Sequence, residues 1–327
     1  MSNQINLPKN NVSVNNLLDN VTKKFVDSLK GSKPISTLAI NDARDVLNKI
    51  QKDESYKAFV DISSIDVNGN EINVNINIFR PKNNRNRLPI IFYIHGGGWI
   101  LGNSQTHGRL VTEICTKTNS AIVFVNYTPA PEKKYPTQII QSLEALNFIH
   151  KNADKLYLDP NNIIIMGDSV GGNMATVVTM LSHERNGPKI KYQILTYPVT
   201  DAAMDTQSYE IYSDGPWLTT VSMKWFYNAY ENDPEVRLNP TISPLRASTK
   251  NIQNLPPTLI IVGENDILRD EGEKYVHKLM QAGVDVSSVR ILGVIHDFLM
   301  LDPVKDAPGT KTAMDIIIKK IKKVFER

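Results

Sequence analysis

Five short apolar runs punctuate the chain: "LPIIFYIH" (88–95), "AIVFVNY" (121–127), "NIIIMG" (162–167), "YQILTYP" (192–198) and "TLIIVG" (258–263). Each has the length of a strand and is apolar on both of the faces a strand presents. Strands of that kind are buried on both sides, the condition of a parallel sheet covered by helices. Helical patterns lie between most of them, around 106–118, 136–152, 171–185 and 268–281, and a last strand near 286–292 and a helix near 310–326 complete the alternation. Alternating β and α elements predict an α/β fold with an open, mostly parallel central sheet and helices on both faces.

Upstream the period changes. "EINVNINIF" alternates Ile72, Val74, Ile76 and Ile78 with polar neighbours, and "VDISSIDV" precedes it across Asn68-Gly69. That pattern predicts an antiparallel N-terminal hairpin closed by the Asn-Gly turn. Two helical stretches come first. One covers 14–30, with Val14, Leu17, Leu18, Val21, Phe25 and Leu29 at helical spacing; the other lies around Ala43–Ile50, capped near Asn41 or Asp42. The segment 201–235 breaks the rhythm, being aromatic-rich and helical in pattern, and reads as an insertion. No repeat or long linker divides the 327 residues, although 1–16 and 83–87 are Asn-rich, so a single domain over 1–327 is expected.

The bulk properties narrow the function classes. A net charge of +3 gives no whole-chain field for nucleic acid or an anionic membrane. "IIIKKIKKVFER" at the C-terminus reads as a basic amphipathic helix, and the default for such a helix is an apolar stripe on the core with solvated lysines. No apolar run is long enough to span a bilayer, and the first residues lack the basic and apolar regions of a signal peptide. Cys115 alone forms no internal disulfide. The expectation is a cytoplasmic protein without stable membrane insertion or nucleic-acid partner, for which a homodimer is one possible assembly.

In open α/β sheets the chemistry sits beyond the carboxyl ends of the strands, and three signals converge there. Gly167-Asp168-Ser169-Val170-Gly171 fits G-x-S-x-G between a strand and a helix. Its glycines leave room for a sharp turn that strains the serine and projects its oxygen. A dinucleotide fingerprint has glycine where Ser169 stands, and a phosphate loop needs a lysine that is absent. The second signal is "HGGGW", His95–Trp99, directly after a strand. Three consecutive glycines cost folding entropy, and they let backbone N–H groups approach a ligand oxygen, as acyl transfer requires. The third is "GENDILRDEG" (263–272) followed by "GVIHDF" (293–298). The order serine, acid, histidine is that of α/β-hydrolases and differs from other serine-hydrolase folds.

Of the six histidines, His107, His150, His183 and His277 fall in helical segments, and His95 belongs to the glycine loop. His296 alone has the right order and loop position to take a proton from Ser169. For the acid that orients it, Glu264, Asp266 and Asp270 are open. Asp266 is preferred because it lies just past the strand, whereas Asp270 opens the following helix and has a capping role to play.

At these motifs the chain resembles the hormone-sensitive-lipase-like branch of α/β-hydrolases, bacterial carboxylesterases that carry HGGG and GDSAG. "NYTPAPEKKYP" (126–136) is similar to that family's Y-R-L-A-P-E segment. "YPVTD" (197–201), "ISPL" (242–245), "LPPTLIIVGENDILRDEG" and "QAGVDV" follow in order, so the resemblance covers roughly 34–325. It implies Ser169 as nucleophile, Asp266 as acid, His296 as base, and an oxyanion hole made by Gly97, Gly98 and the amide of Val170. It also implies a helical cap from about 1–50 and 201–235. The insertion holds Tyr209, Tyr212, Trp217, Trp225, Phe226, Tyr227 and Tyr230, most of which such a cap uses for packing. Trp99, Trp217 and then Phe298 are the expected substrate contacts. Four departures stand out: Val170 for alanine, Asp297 for the glycine after the histidine, Thr128-Pro129 for Arg-Leu, and Ile267 for proline. A carboxylate at 297 near the imidazole is expected to raise its pKa.

The function so implied is a carboxylesterase acting on a small-molecule ester of short to medium acyl chain through a Ser-His-Asp triad, with no cofactor and no metal. An amidase or deacetylase on the same triad is the nearest alternative. The competing class is ligand binding, since this fold also serves plant hormone receptors that lack the catalytic histidine.

Overall fold

The computed structural model describes residues 18–69 and 72–326. The apolar runs become strands of one eight-stranded sheet. In chain order these are β1 (Val60–Val67), β2 (Val74–Pro81), β3 (Leu88–Ile94), β4 (Ala121–Asn126), β5 (Leu158–Asp168), β6 (Tyr192–Thr196), β7 (Thr258–Asn265) and β8 (Val286–Ile295). Their spatial order is β1-β2-β4-β3-β5-β6-β7-β8. β1 pairs with β2 and β2 with β4 antiparallel, and every later pair is parallel. The α/β expectation with its antiparallel N-terminal hairpin therefore holds. β3, β4 and β6 lie inside the sheet, are buried almost throughout, and so carry no polar alternation.

The hairpin differs in its turn. A two-residue Asn-Gly turn sets Val67 opposite residue 70, but Val67 pairs with Val74, so the connection spans 68–73 and the strand begins later than "EINVNINIF" suggests. Part of that connection, 70 and 71, lies outside the described residues, as do Val14 and Leu17 of the first helical pattern. What is described of that pattern is α1 (Asn20–Ser28), capped by the Asp19 carboxylate, which accepts from Val21 N and Thr22 N. α2 spans Ile40–Ile50; its N-cap is Ala39 without a side-chain bond, and Asp42 sits in the first turn, where its charge favours the helix dipole.

α3 (Gly108–Thr118) links β3 to β4, α4 (Thr137–Asn152) links β4 to β5, and α5 (Val170–Glu184) follows β5. The insertion after β6 contains α6 (Gln207–Ile211), α7 (Thr220–Tyr230) and α8 (Pro234–Arg237), and the short α9 (Thr249–Ile252) precedes β7. α7 starts at a capping box in which Thr219 and Ser222 satisfy each other's backbone amides. α10 (Arg269–Gln281) links β7 to β8, and α11 (Pro308–Phe325) closes the chain. α11 buries Ala313, Met314, Ile317, Ile318 and Ile321, so its apolar stripe packs on the body; Lys311, Lys319, Lys322 and Lys323 are exposed, and Lys320 is half-buried with its Nζ over the Tyr192 ring. Among the described residues no helix is long and apolar enough to cross a membrane.

The topology locates the site. The chain leaves β3 for β4 on one side and returns to β5 on the other, so the sheet order reverses at β3. The crevice beyond the carboxyl ends at such a reversal is where open α/β sheets bind ligands. β3 ends there in the glycine loop and β5 in Ser169. β7 and β8 are neighbours, so Asp266 and His296 leave adjacent strand ends.

Candidate active site

Ser169 sits at φ 54° and ψ −121° between β5 and α5, a conformation that strains any non-glycine residue. The turn survives because Gly171 lets α5 start against β3: a Cβ there lies 2.0 Å from the carbonyl oxygen of Ile94. His296 Nε2 is 3.0 Å from Ser169 Oγ, and His296 Nδ1 is 2.7 Å from Asp266 Oδ2. The second Asp266 oxygen accepts from Leu268 N at 2.9 Å, which fixes the carboxylate in its loop. The three side chains predicted from sequence thus meet in one hydrogen-bonded line.

The two rival acids are engaged elsewhere. Glu264 accepts from Gly293 N, and Asp270 accepts from Ser208 N and pairs with Arg269. Asp270 therefore ties the insertion to the first turn of α10.

His296 is almost fully buried. Burial alone disfavours its charged form, but Asp266 and Asp297 outweigh that effect and lift the imidazole to about 9. Asp297, at φ 62° directly after it, places Oδ1 3.3 Å from Nε2, while Oδ2 accepts from Trp217 Nε1 at 2.9 Å. Burial raises the Asp297 carboxyl, and His296 and the Trp217 bond act against that rise.

A cavity of about 580 Å³ opens onto Ser169 and His296. Gly97 and Gly98 line it, both at positive φ. A Cβ on Gly98 lies 2.0 Å from the Phe226 ring of α7, so the loop and the insertion touch there. Val170 opens α5, where the first amides of a helix have no intrahelical partner. Gly97 and Gly98 thus share the cavity with Ser169, and Val170 follows Ser169 directly at the start of α5.

Trp217 lines the cavity as expected, together with Met223, Phe226 and Leu218 of the insertion. Trp99 and Phe298 are not on that wall. Trp99 stacks face to face on Tyr230 at 4.1 Å, and Phe298 meets Tyr197 edge-on at 5.4 Å; both are fully buried. Truncating a buried aromatic of this size costs about 3–5 kcal/mol, so these two rings belong to the packing of the loops that carry the glycines and His296. The other wall comes from the N-terminal stretch, including Leu29, Ile35, Leu38 and Leu47. α2 is held over the site by Arg44, which forms a two-pronged pair with Glu132 at 2.7 Å and donates to the carbonyls of Ile100 and Ala130. Gln51 at its end donates to Thr106 O and Met300 O, both at 2.8 Å.

The serine motif contains a further buried group to which the sequence reading gave no role. Asp168, the residue before the serine, is fully buried; it accepts from Tyr93 Oη at 2.6 Å and Gly96 N at 3.1 Å and lies 3.3 Å from His107 Nε2. Burial opposes its charge, yet His107 and Tyr93 keep its carboxyl below the ordinary value. It joins the serine turn to the glycine loop from beneath. His95, stacked at 4.2 Å on Tyr127, is pushed down to about 3 by burial and the nearby His107, and so braces the loop as a neutral ring. Among the described residues no His, Cys, Asp and Glu cluster is arranged to hold a metal ion.

Three comparisons bear on this geometry. Residues 91–300 match the family described as having the alpha/beta hydrolase fold. A chain from Acanthamoeba polyphaga mimivirus, placed among alpha/beta hydrolases, is 52% identical over 307 residues, covering 94% of this chain and 88% of its own. An ethyl acetate hydrolase from Pseudomonas putida is 33% identical over 69% of this chain and 71% of its own. Among solved structures, a thermostable esterase from Pseudomonas putida ECU1011 superimposes with a TM-score of 0.91 at 38% identity, covering 94% of this chain and 97% of that one.

Proposed function

The chain belongs to the alpha/beta hydrolase family and is a carboxylic ester hydrolase, and on that premise we propose that it cleaves short- to medium-chain acyl esters through an acyl-enzyme on Ser169. The observation that carries this reading is the unbroken line Ser169 Oγ, His296 Nε2, His296 Nδ1, Asp266 Oδ2, at 3.0 and 2.7 Å.

Neutral His296 takes the Ser169 proton as Oγ attacks the ester carbonyl carbon. The amides of Gly97, Gly98 and Val170 receive the carbonyl oxygen as it becomes an oxyanion, and each such donor is worth about 2.7–4 kcal/mol in the transition state. The imidazolium, held by Asp266, returns its proton to the departing alkoxide, which leaves as the alcohol. Water then attacks the acyl-enzyme, losing a proton to His296, and the acid is released as Ser169 regains its own. No step calls for a cofactor.

Of the expected cap, about 1–50 and 201–235, residues 1–17 lie outside the described residues; the rest acts as a cap within a single domain, in the manner of hormone-sensitive-lipase-like esterases. The cap supplies apolar walls on both sides of Ser169, and a cavity of about 580 Å³ suits a small-molecule ester with a modest acyl chain. A series of chromogenic esters from acetyl to decanoyl tests this: kcat/KM is expected to peak at a short or medium chain and to fall by decanoyl. Preference for decanoyl or longer, or faster cleavage of the matching anilides, counts against it.

The pH dependence has a defined sign. The base works only when neutral, so kcat/KM rises with pH and its acid limb is expected near about 9. The same shift enters stability. The folded value lies above the ordinary 6.5, so this group's contribution is complete below 6.5 and is lost as pH rises through about 9. A limb at or below 6.5 contradicts the role given to the two flanking carboxylates.

A further inference from the structure

Asp297 is a carboxylate at the reaction centre for which the mechanism has no use. It stands at a positive φ, a backbone region that non-glycine residues adopt at a cost, although Asp tolerates it better than most. Oδ2 has one partner, the Trp217 indole at 2.9 Å, and Oδ1 is buried without a hydrogen-bond partner. Oδ1 nonetheless lies 3.3 Å from His296 Nε2, the nitrogen that also faces Ser169 Oγ at 3.0 Å. Nε2 therefore has two oxygens within reach, and only one of them is productive.

The competition favours the wrong oxygen. A carboxylate accepting from an imidazolium makes a bond roughly twice as strong as a neutral hydroxyl does. At 3.3 Å, Oδ1 stands just outside the ordinary N–H···O range, and the one hydrogen bond that holds the carboxylate comes from Trp217. That residue is on the insertion, and its ring rests on Phe25 of α1 at 5.5 Å, so the two covering segments meet at this ring.

We propose that Trp217 is a positioning residue for ester hydrolysis: its indole N–H holds the Asp297 carboxylate off His296 Nε2, so that seating of the covering segments decides whether the histidine is free to serve Ser169. The inference rests on the triad proposed above. With the bond in place, Asp297 acts on the imidazole through space only. With it broken, the carboxylate takes the Nε2 proton in a direct hydrogen bond, and Ser169 loses its acceptor. The charged and titratable groups facing His296 are Asp266, Asp297, Asp168 and Tyr197, whose ring stands edge-on to the imidazole at 4.9 Å, and those facing Asp297 are His296, Asp168, His107 and Tyr197. Lys33 and Asp214 stand further out on the cavity wall.

The test compares Trp217→Phe, Asp297→Asn and the double variant with the wild type, reading kcat and KM for an acetyl ester from pH 5 to 10. Trp217→Phe is expected to lower kcat at pH 7 about tenfold and to move the acid limb up by about one pH unit. Asp297→Asn moves the limb down, and the double variant follows Asp297→Asn, because without the carboxylate there is nothing for Trp217 to restrain. A Trp217→Phe effect confined to KM makes Trp217 a pocket wall and overturns the proposal. So does a double variant whose loss is the product of the two single losses. Should Trp217→Phe fail to fold, Trp217→Leu, which also lacks the donor, is read in its place: an acid limb moved up upholds the proposal, and a limb at the wild-type position overturns it. Ser169→Ala run alongside reports on the triad itself, so a failure of that reading is distinguishable from a failure of this one.

Discussion

Ser169→Ala is expected to fold normally and to lose ester hydrolysis, with kcat falling about 10⁴- to 10⁶-fold. The fold is spared because the substitution keeps a Cβ in the same strained turn and removes only Oγ, whose recorded partner is His296. Ser169 N still donates to Thr196 O at 2.9 Å, and the glycine at 171 still admits α5 against β3. The activity goes because, among the described residues, no other hydroxyl bonds His296 Nε2. What survives is the modest acceleration from amides that bind the carbonyl oxygen and orient water. Steady-state kinetics with a thermal melt check both halves. A kcat within tenfold of wild type means that water, activated directly, is the nucleophile.

The second large effect separates the two aspartates that sequence alone leaves in contention. Asp266→Asn is expected to lower kcat about 10⁴-fold, because an amide beside Nδ1 no longer holds the tautomer that leaves Nε2 free to accept the serine proton. It also removes the strongest of the charges that lift His296, so the remaining activity has its acid limb at lower pH. Asp270→Asn touches Ser208 N and Arg269, not the imidazole, and its cost falls on stability, on the order of 1 kcal/mol. Measured side by side, the pair inverts this account if Asp270→Asn is the slower enzyme.

The parts of the molecule legible in the chain share a cause. β3, β4 and β6 are buried on both faces, which leaves a continuous apolar run of strand length in the sequence. The serine turn is legible because strain at Ser169 demands glycine at fixed offsets, and chain order then singles out His296. What escaped detection depends on distances in space. Tyr93, Gly96 and His107 lie 61 to 75 positions from Asp168, the residue they touch, so no local pattern links them. Leu29, Ile35, Leu38 and Leu47 pack in or against the core and also line the cavity, and an apolar residue looks the same in sequence whether or not it faces a cavity. Trp99 and Phe298 mislead for the reverse reason. Each neighbours a catalytic loop in sequence, but its ring turns inward and packs on Tyr230 or Tyr197. The hairpin turn misleads because Asn68-Gly69 is a strong local signal, whereas the pairing of Val67 with Val74 answers to the whole sheet.

The central claim is a covalent ester between the substrate's acyl group and Ser169. Its most direct test is to mix the wild-type enzyme with a slowly turned-over chromogenic ester, quench in acid, and map the adduct by peptide mass. The account predicts one acyl group per chain, on the peptide containing Ser169, and none on the Ser169→Ala protein. An acyl group on any other residue, or full hydrolysis with Ser169 never modified under conditions that trap a phosphonate elsewhere in the chain, contradicts it.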